Sequence, residues 1–297
     1  MLVGARILVT GAAGLLGRAV VERLRAEGAI VLPVLRQKPE ALGQEAIEID
    51  LTSGPENLIN TVDIKPDSVI HLAAAVPHSP IYPDIESSAE QTRSIDCTVW
   101  TACTEWNVRC FYASTCGLYD PLDPRPKTEQ SALEVRSHYF AAKREGEELF
   151  SHDRQNCIFR LSAPYGAGLR KSLVLARFIG LAVNDQKIDI WGSGQREQDF
   201  ISASDVAEFI VRALVAEARG VYNVASGVAL SMESLARLVV DVVGKGDWFF
   251  SGQSDPHESW TARYDISKAR MELHWSPVEP LDQGIAQLVD ILFDTRK

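Results

Sequence analysis

Two hydrophobic periodicities alternate along the first half of the chain. Short, largely apolar runs rich in Val, Ile and Leu occur at 7–10, 30–35, 46–50, 68–73, 109–114 and 157–161. Runs of that length predict buried strands, the second of them despite Pro33. Between them lie stretches with helical character, at 19–26, 87–107 and 137–152. Six strands with helical crossovers predict an α/β, doubly wound parallel sheet. After Leu161 the pattern loosens. Helices are expected at 172–183, 204–216 with Ser204 as cap, 231–243 ending in Gly244-Lys245-Gly246, and 281–293, with short strands at 187–191 and 221–224. This predicts a sheet domain over 1–163, with 187–216 returning to it, and a smaller, mostly helical substrate domain over 164–297. The Pro-rich loop 120–127 reads as a substrate-side connection.

The first strand runs into Gly11, Gly14 and Gly17, and a helix follows. Strand, glycine turn and helix aim a helix N-terminus at a phosphate. Gly11 allows the tight turn, Gly14 lets a diphosphate near the backbone, and Gly17 lets the helix lie close to the strand. The spacing is GxxGxxG rather than GxGxxG, so a plain tight connection stays open at this point. The position at the head of a βαβ pattern favours a dinucleotide.

Charge narrows the partners. The formal net charge of -10 argues against nucleic acid, which needs a basic surface. No apolar stretch approaches the length of a membrane span, and the first strand starts too near Met1 to leave room for a signal peptide. The five cysteines have no CxxC spacing, so free thiols in a reducing cytoplasm are expected, and no metal.

Several residues could carry chemistry. Arg36, after the second strand, stands where an arginine would pair with a ribose 2′-phosphate, although stacking on adenine with either cofactor is open. Asp50-Leu51 ends the third strand. Asp50 could accept from an adenine amino group or cap the next helix, as could Ser53. His71 reads as a packed structural histidine. His78, in a loop beyond the fourth strand, is a candidate substrate contact. Tyr139 and Lys143 lie four apart on one helix face. The Lys143 ammonium would lower the Tyr139 phenol pKa, and an activated phenol exchanges the proton of a carbinol–carbonyl pair. Thr115, after the fifth strand, could hydrogen-bond the same oxygen. Cys116 reads as a small residue beside the site.

With TGAAGLLG, Asp50-Leu51, HLAAA, STCGLY, YFAAK, RLSAPYGAG, GSGQREQDF, SDVAEF, YNVASG and YDISKARMELHWSP in this order, the chain resembles the extended short-chain dehydrogenase/reductases of the nucleotide-sugar epimerase/dehydratase kind. The resemblance covers nearly the whole chain. It implies a Rossmann fold, a cofactor of NAD or NADP, with NADP favoured by Arg36, and the catalytic group Thr115, Tyr139 and Lys143. It implies cofactor contacts at Gly11, Gly14, Leu15, Leu16, Gly17, Arg36, Asp50, Leu51, Leu72, Ala73, Ala74, Ala75, Ser114, Tyr139 and Lys143. Substrate contacts follow at His78, Thr115, Arg196 and Arg263, the two arginines on the diphosphate of a nucleotide-linked sugar. It leaves room for a homodimer. Cys116-Gly117 stand where the family's dehydratases carry Asp-Glu, which argues against a 4,6-dehydratase. Ala163 stands where many epimerases carry Asn, and Ile95-Asp96 replace the family's helix Asn near the fifth strand. The expected activity is hydride transfer at a sugar carbon, as an epimerase. The alternatives are a keto-sugar reductase, a reductase on a non-sugar alcohol, and a non-catalytic dinucleotide sensor.

Overall fold

In the computed structural model, residues 2–37, 46–77 and 86–293 are described. The chain opens with β1 (Arg6–Thr10), α1 (Leu15–Ala26), β2 (Ile30–Leu35), β3 (Ile47–Glu48), α2 (Pro55–Thr61) and β4 (Ser68–His71). It continues through α3 (Glu86–Trp106), β5 (Arg109–Thr115), α4 (His138–Ser151), β6 (Cys157–Leu161), β7 (Ala163–Tyr165) and α5 (Val174–Val183). Next come β8 (Lys187–Ile190), β9 (Glu197–Ser202), α6 (Ala203–Val215), β10 (Gly220–Val224), β11 (Ala229–Ser231) and α7 (Met232–Val243). The last elements are β12 (Asp247–Phe250), α8 (Ser267–Leu273) and α9 (Leu281–Phe293).

The main sheet is parallel, in the order β10-β6-β5-β4-β1-β2-β3. This is the doubly wound Rossmann arrangement expected from the strand–helix alternation. Winding reverses between β1 and β4, and there the carboxyl ends of the strands leave a crevice for a ligand. Side-chain alternation splits the core in two. Ile7 and Val9 face Val20 and Leu24 of α1 and Phe209 and Ile210 of α6. Leu8 between them faces Val99 and Ala102 of α3 and Phe150 of α4, as a strand buried on both faces requires. Pro33 is tolerated inside β2 because β3 is two residues long and pairs only with Val34 and Leu35, leaving no β3 partner opposite the proline.

The described sheet has seven strands, one more than the six-strand reading. The seventh, β10, is the brief strand expected at 221–224 in the loosely patterned half, begun one residue earlier and joined to the main sheet beside β6. Within 187–216, β8 pairs with β12, and β9 with β7 and β11, while α6 packs on the α1 side of the sheet. A separate apolar cluster joins α5, α7 and α9 through Phe178, Ile179, Leu235, Val239, Ile285 and Leu288. The α6 cap is Ser202, whose hydroxyl accepts from Asp205 N, and not Ser204. Ser204 instead donates to Glu279. The helix starts a residue earlier than expected because β9 delivers Ser202 directly to the capping position.

A buried ion pair ties α4 to the sheet. Arg160 of β6 reaches Glu147 of α4 with two bonds, 2.8 and 2.7 Å, and both side chains are about 5% exposed or less. Ser114 donates to the same carboxylate at 2.6 Å. Arg160 also donates to the Tyr119 hydroxyl, which donates to Asn223 of β10. Removing the guanidinium would leave the Glu147 carboxylate buried without its counterion. We expect Arg160→Met to lower unfolding free energy by about 3–5 kcal/mol, read from the urea midpoint. A loss under about 1 kcal/mol would show that α4 does not depend on the pair.

Candidate active site

The crevice at the sheet's reversal begins with the glycine turn. Gly11 holds a φ of +68°, and a Cβ there would stand 2.8 Å from Ala73 N. A Cβ on Gly17 would stand 2.1 Å from Gly11 O and 2.6 Å from Ala12 Cα, so α1 lies against β1 as closely as backbone permits. Gly14 is the N-cap of α1; no side chain caps it, and the first turn holds no acidic residue. The leading amides of a twelve-residue helix are therefore free of side-chain partners and favour an anion.

On the opposite side of the reversal, Ser137 caps α4 by accepting from Phe140 N at 3.1 Å. This starts the helix so that Tyr139 and Lys143 both fall on its buried face. Lys143 Nζ donates to Ala113 O at 2.8 Å and to the Tyr112 hydroxyl at 3.2 Å. Thr115 ends β5, and its hydroxyl accepts from Gly117 N at 3.0 Å. Cys116 is buried, its thiol pushed well up by that burial and pointed at Arg160 O, which suits a small packing residue.

The expected lowering of the Tyr139 pKa is corrected by this geometry. Burial pushes the phenol above its ordinary value, Asp96 adds to the rise, and the cation acting against them is Arg170. Lys143 does not act on the phenol because its ammonium extends towards β5. Burial holds Lys143 itself below its usual value, with Asp96 and Glu147 opposing.

The family model described as the NAD dependent epimerase/dehydratase family matches residues 7–225. The chain belongs to this family. UDP-glucuronic acid decarboxylase 1 of Xenopus tropicalis is 24% identical over 307 residues, covering 96% of this chain and 71% of the relative. UDP-glucuronate 4-epimerase of Thermodesulfobacterium geofontis is 25% identical over 313 residues, covering 95% and 94%. In fold, the crystal structure of UDP-glucose 4-epimerase from Thermotoga maritima with UDP-glucose superimposes with a TM-score of 0.83 at 23% identity, covering 98% of this chain and 100% of that one. Membership of the NAD-dependent epimerase/dehydratase family agrees with the enzyme class and NAD(P) dependence expected from the sequence. Decarboxylation is a reaction type the sequence analysis did not weigh.

A dinucleotide fits the family member's glycine turn: the N-terminus of α1, which no side chain caps and no acidic residue occupies, offers its leading amides to the diphosphate. Leu15 and Leu16 are half-buried there, packed towards different apolar clusters. Leu72, Ala73, Ala74 and Ala75 follow β4, all half-buried. The amides of Leu72 and Ala73 both donate to Thr10 Oγ1 at 3.2 Å. Arg36 is exposed beyond β2 and close enough to Asp50 to lower its pKa, after the larger effect of Thr52. Asp50 acts as a cap, accepting from Thr52 N and Oγ1 at 2.9 and 2.7 Å, with Leu51 buried beside it. The Ser114 hydroxyl is taken by Glu147. His78 lies outside the described residues.

The two arginines expected on a substrate diphosphate are each held by a carboxylate. Arg196 Nε stands 2.9 Å from Asp255 Oδ2, an ion pair without hydrogen-bond alignment. Arg263 forks onto Glu197, with bonds of 2.7 to 3.2 Å. Sequence reasoning missed Arg170, which donates to Pro77 O at 3.1 Å and acts on Tyr139. The sequence marked Asp96 only as part of the replacement of the family's helix Asn and gave it no role, although a further signal existed. Ala89, Thr92, Asp96, Val99, Cys103 and Trp106 form the buried stripe of α3, and a carboxylate at a core position of such a stripe demands a reason.

Gly17→Ala tests the close approach. Its Cβ must push α1 away from Gly11, so we expect a stability loss of about 1–3 kcal/mol and weaker dinucleotide binding by calorimetric titration. Unchanged affinity in a folded variant would separate the turn from the cofactor.

Proposed function

We propose that the protein is an NAD(P)-dependent epimerase acting at a sugar carbon of a nucleotide-linked sugar. The observation that supports this reading is that α4, with Tyr139 and Lys143 on its buried face, packs on β5, which ends in Thr115, across the sheet reversal from the uncapped N-terminus of α1. Relatives named for nucleotide-sugar reactions support the substrate class. In this reading residues 1–163 hold the cofactor and the later elements the substrate, and five free cysteines support a reducing, cytoplasmic setting.

When bound, the cofactor supplies a nicotinamide that accepts and returns hydride. Tyr139 holds the proton at the hydroxyl oxygen of the reacting sugar carbon, and Thr115 orients that oxygen. Lys143, one helical turn beyond Tyr139, holds its ammonium against β5 at Ala113 O and the Tyr112 hydroxyl. Gly11, Gly14, Leu15, Leu16 and Gly17 bind the dinucleotide diphosphate. Arg36, Asp50 and Leu51 bind its adenosine end, and Leu72, Ala73, Ala74, Ala75 and Ser114 line the path between. Arg196 and Arg263 bind the substrate diphosphate after exchanging Asp255 and Glu197 for it, a trade between anions of similar geometry. His78 is a further substrate contact.

Tyr139→Phe keeps the ring and removes the transferable proton. We expect turnover to fall ~100-fold or more while fold and cofactor affinity persist, measured with UDP- and dTDP-hexoses by product analysis. Turnover equal to the parent would defeat the reading.

Net reduction of a keto-sugar is the second reading. Arg36 favours it by suiting NADP(H), and so does the raised Tyr139 phenol, because a protonated phenol is the form that donates to a keto oxygen. Arg36→Ala should weaken NADP(H) more than NAD(H) in parallel titrations. Equal losses for the two, or a loss confined to NAD(H), would remove that support.

A further inference from the structure

Three in-register residues form a polar row across the middle of the sheet. Thr10 of β1 pairs with His71 of β4, and His71 with Tyr112 of β5. All three are fully buried or nearly so. Asp96 of α3 covers the row from one side, and α4 brings Lys143 to its end. The contacts form one continuous line: Thr10 Oγ1 to His71 Nδ1 at 2.7 Å, His71 Nε2 to Asp96 Oδ1 at 3.0 Å, Tyr112 hydroxyl to Asp96 Oδ2 at 2.7 Å, and Lys143 Nζ to the Tyr112 hydroxyl at 3.2 Å.

The donor count fixes the direction of every bond. Thr10 Oγ1 already accepts from the amides of Leu72 and Ala73, so its proton goes to His71 Nδ1. His71 then carries its own proton on Nε2 and donates it to Asp96. The Tyr112 hydroxyl accepts from Lys143 and donates to the other oxygen of Asp96. The carboxylate thus receives two neutral donors, and the nearest cation along the line is Lys143, one hydroxyl away. Glu147, one helical turn beyond Lys143, is held by Arg160 and Ser114. Asp96 is the carboxylate left to balance the lysine.

We propose that Asp96 and Tyr112 are positioning residues of the active site: Asp96, through the Tyr112 hydroxyl, keeps Lys143 charged and aimed along β5, and His71 and Thr10 hold Asp96 in turn. The proposal rests on the reading that Lys143 serves the reaction. It also explains why a carboxylate sits on the buried stripe of α3. The line starts one residue before Gly11 and ends at Lys143, so it links the glycine turn with the opposite end of the crevice. Burial lowers His71 and Lys143 and raises Tyr112 and Tyr139. The charged groups acting on Lys143 are Asp96 from α3 and Glu147 from its own helix. On the sheet side it meets Tyr112 of β5, and it acts on His71 of β4. Arg170 acts on the neighbouring Tyr139.

The sign follows. Asp96 raises the Lys143 pKa against desolvation, so removing its charge lowers the pH at which Lys143 gives up its proton. The test is NMR titration of 13Cε-lysine-labelled protein, with the Lys143 signal assigned by its loss in Lys143→Met. Asp96→Asn should move the Lys143 midpoint down by about 1 unit or more. Tyr112→Phe, which keeps the ring and its packing, should move it in the same direction and carries the test if Asp96→Asn does not fold. The pH above which turnover falls should drop in step. The lysine titration needs neither substrate nor dinucleotide, so it is read independently of the epimerase reading. A folded variant that loses thermal stability but leaves the Lys143 midpoint where it was would overturn the proposal and reduce the row to a structural network.

Discussion

The arrangement at the carboxyl ends of the strands depends on how closely α4 lies against β5 and α3. The limiting point is Gly146. A Cβ there would stand 2.1 Å from the Tyr112 hydroxyl and 2.5 Å from Asp96 Oδ2, so only a glycine lets the helix settle onto that pair. Once it has settled, Lys143 lies one turn before the contact, beside Tyr112 and Ala113, and Glu147 lies one residue after it, beside Arg160 and Ser114. Two buried charges of opposite sign on one helix are thereby served by two separate hydrogen-bond networks. Buried charges are tolerable only when they are paired and hydrogen-bonded in this way.

Much of this was readable along the chain because local chemistry decides it. The bounds of β2 and β6 fall where the apolar runs predict them. The glycine turn was recognisable because a helix can lie directly against the strand before it only where it carries no Cβ, and a Cβ at Gly17 would stand 2.1 Å from Gly11 O. The capping of Asp50 rested on a two-residue bond and was one of the two alternatives open at that position. What stayed hidden depends on register. That Thr10, His71 and Tyr112 stand side by side follows from pairings between strands 40 to 60 residues apart, and no periodicity encodes those. The direction of the Lys143 side chain was hidden for the same reason: helical spacing gives the face it occupies, while the acceptors that orient it come from β5. The stretch 196–202 gave no strand signal because β9 draws its pairing from β7 and β11, both three residues long.

The segment from Asp255 to Asp265 accounts for the paired arginines. It contributes Asp255 to Arg196 and carries Arg263, which Glu197 at the start of β9 engages. Its backbone is held by Pro121 and Lys127: Thr261 N donates to Pro121 O, Lys127 N to Arg263 O and Asp265 N to Lys127 O. Lys127, nearly fully buried, also donates from Nζ to Thr261. The loop before α4, the start of β9 and this late segment therefore form one hydrogen-bonded edge. The charges on that edge neutralise one another, so the overall acidity of the chain does not describe its character there.

The seventh strand sets an order on the making of the molecule. Along the chain, β10 follows β7, α5, β8, β9 and α6, yet its place is on the outer side of β6. A chain emerging from the ribosome completes β6 well before its neighbour exists, and in that interval β6 offers an unpaired row of amides and carbonyls, the kind of edge that recruits stray strands. Asn223 then does more than close the sheet. It joins the Tyr119 hydroxyl, Lys127 O and Asp265 O, so the strand that caps the nascent edge also draws in the loop before α4 and the segment still to come. Translation thus completes the sheet and, with the same strand, fastens the loop before α4 and the late segment to it through Asn223.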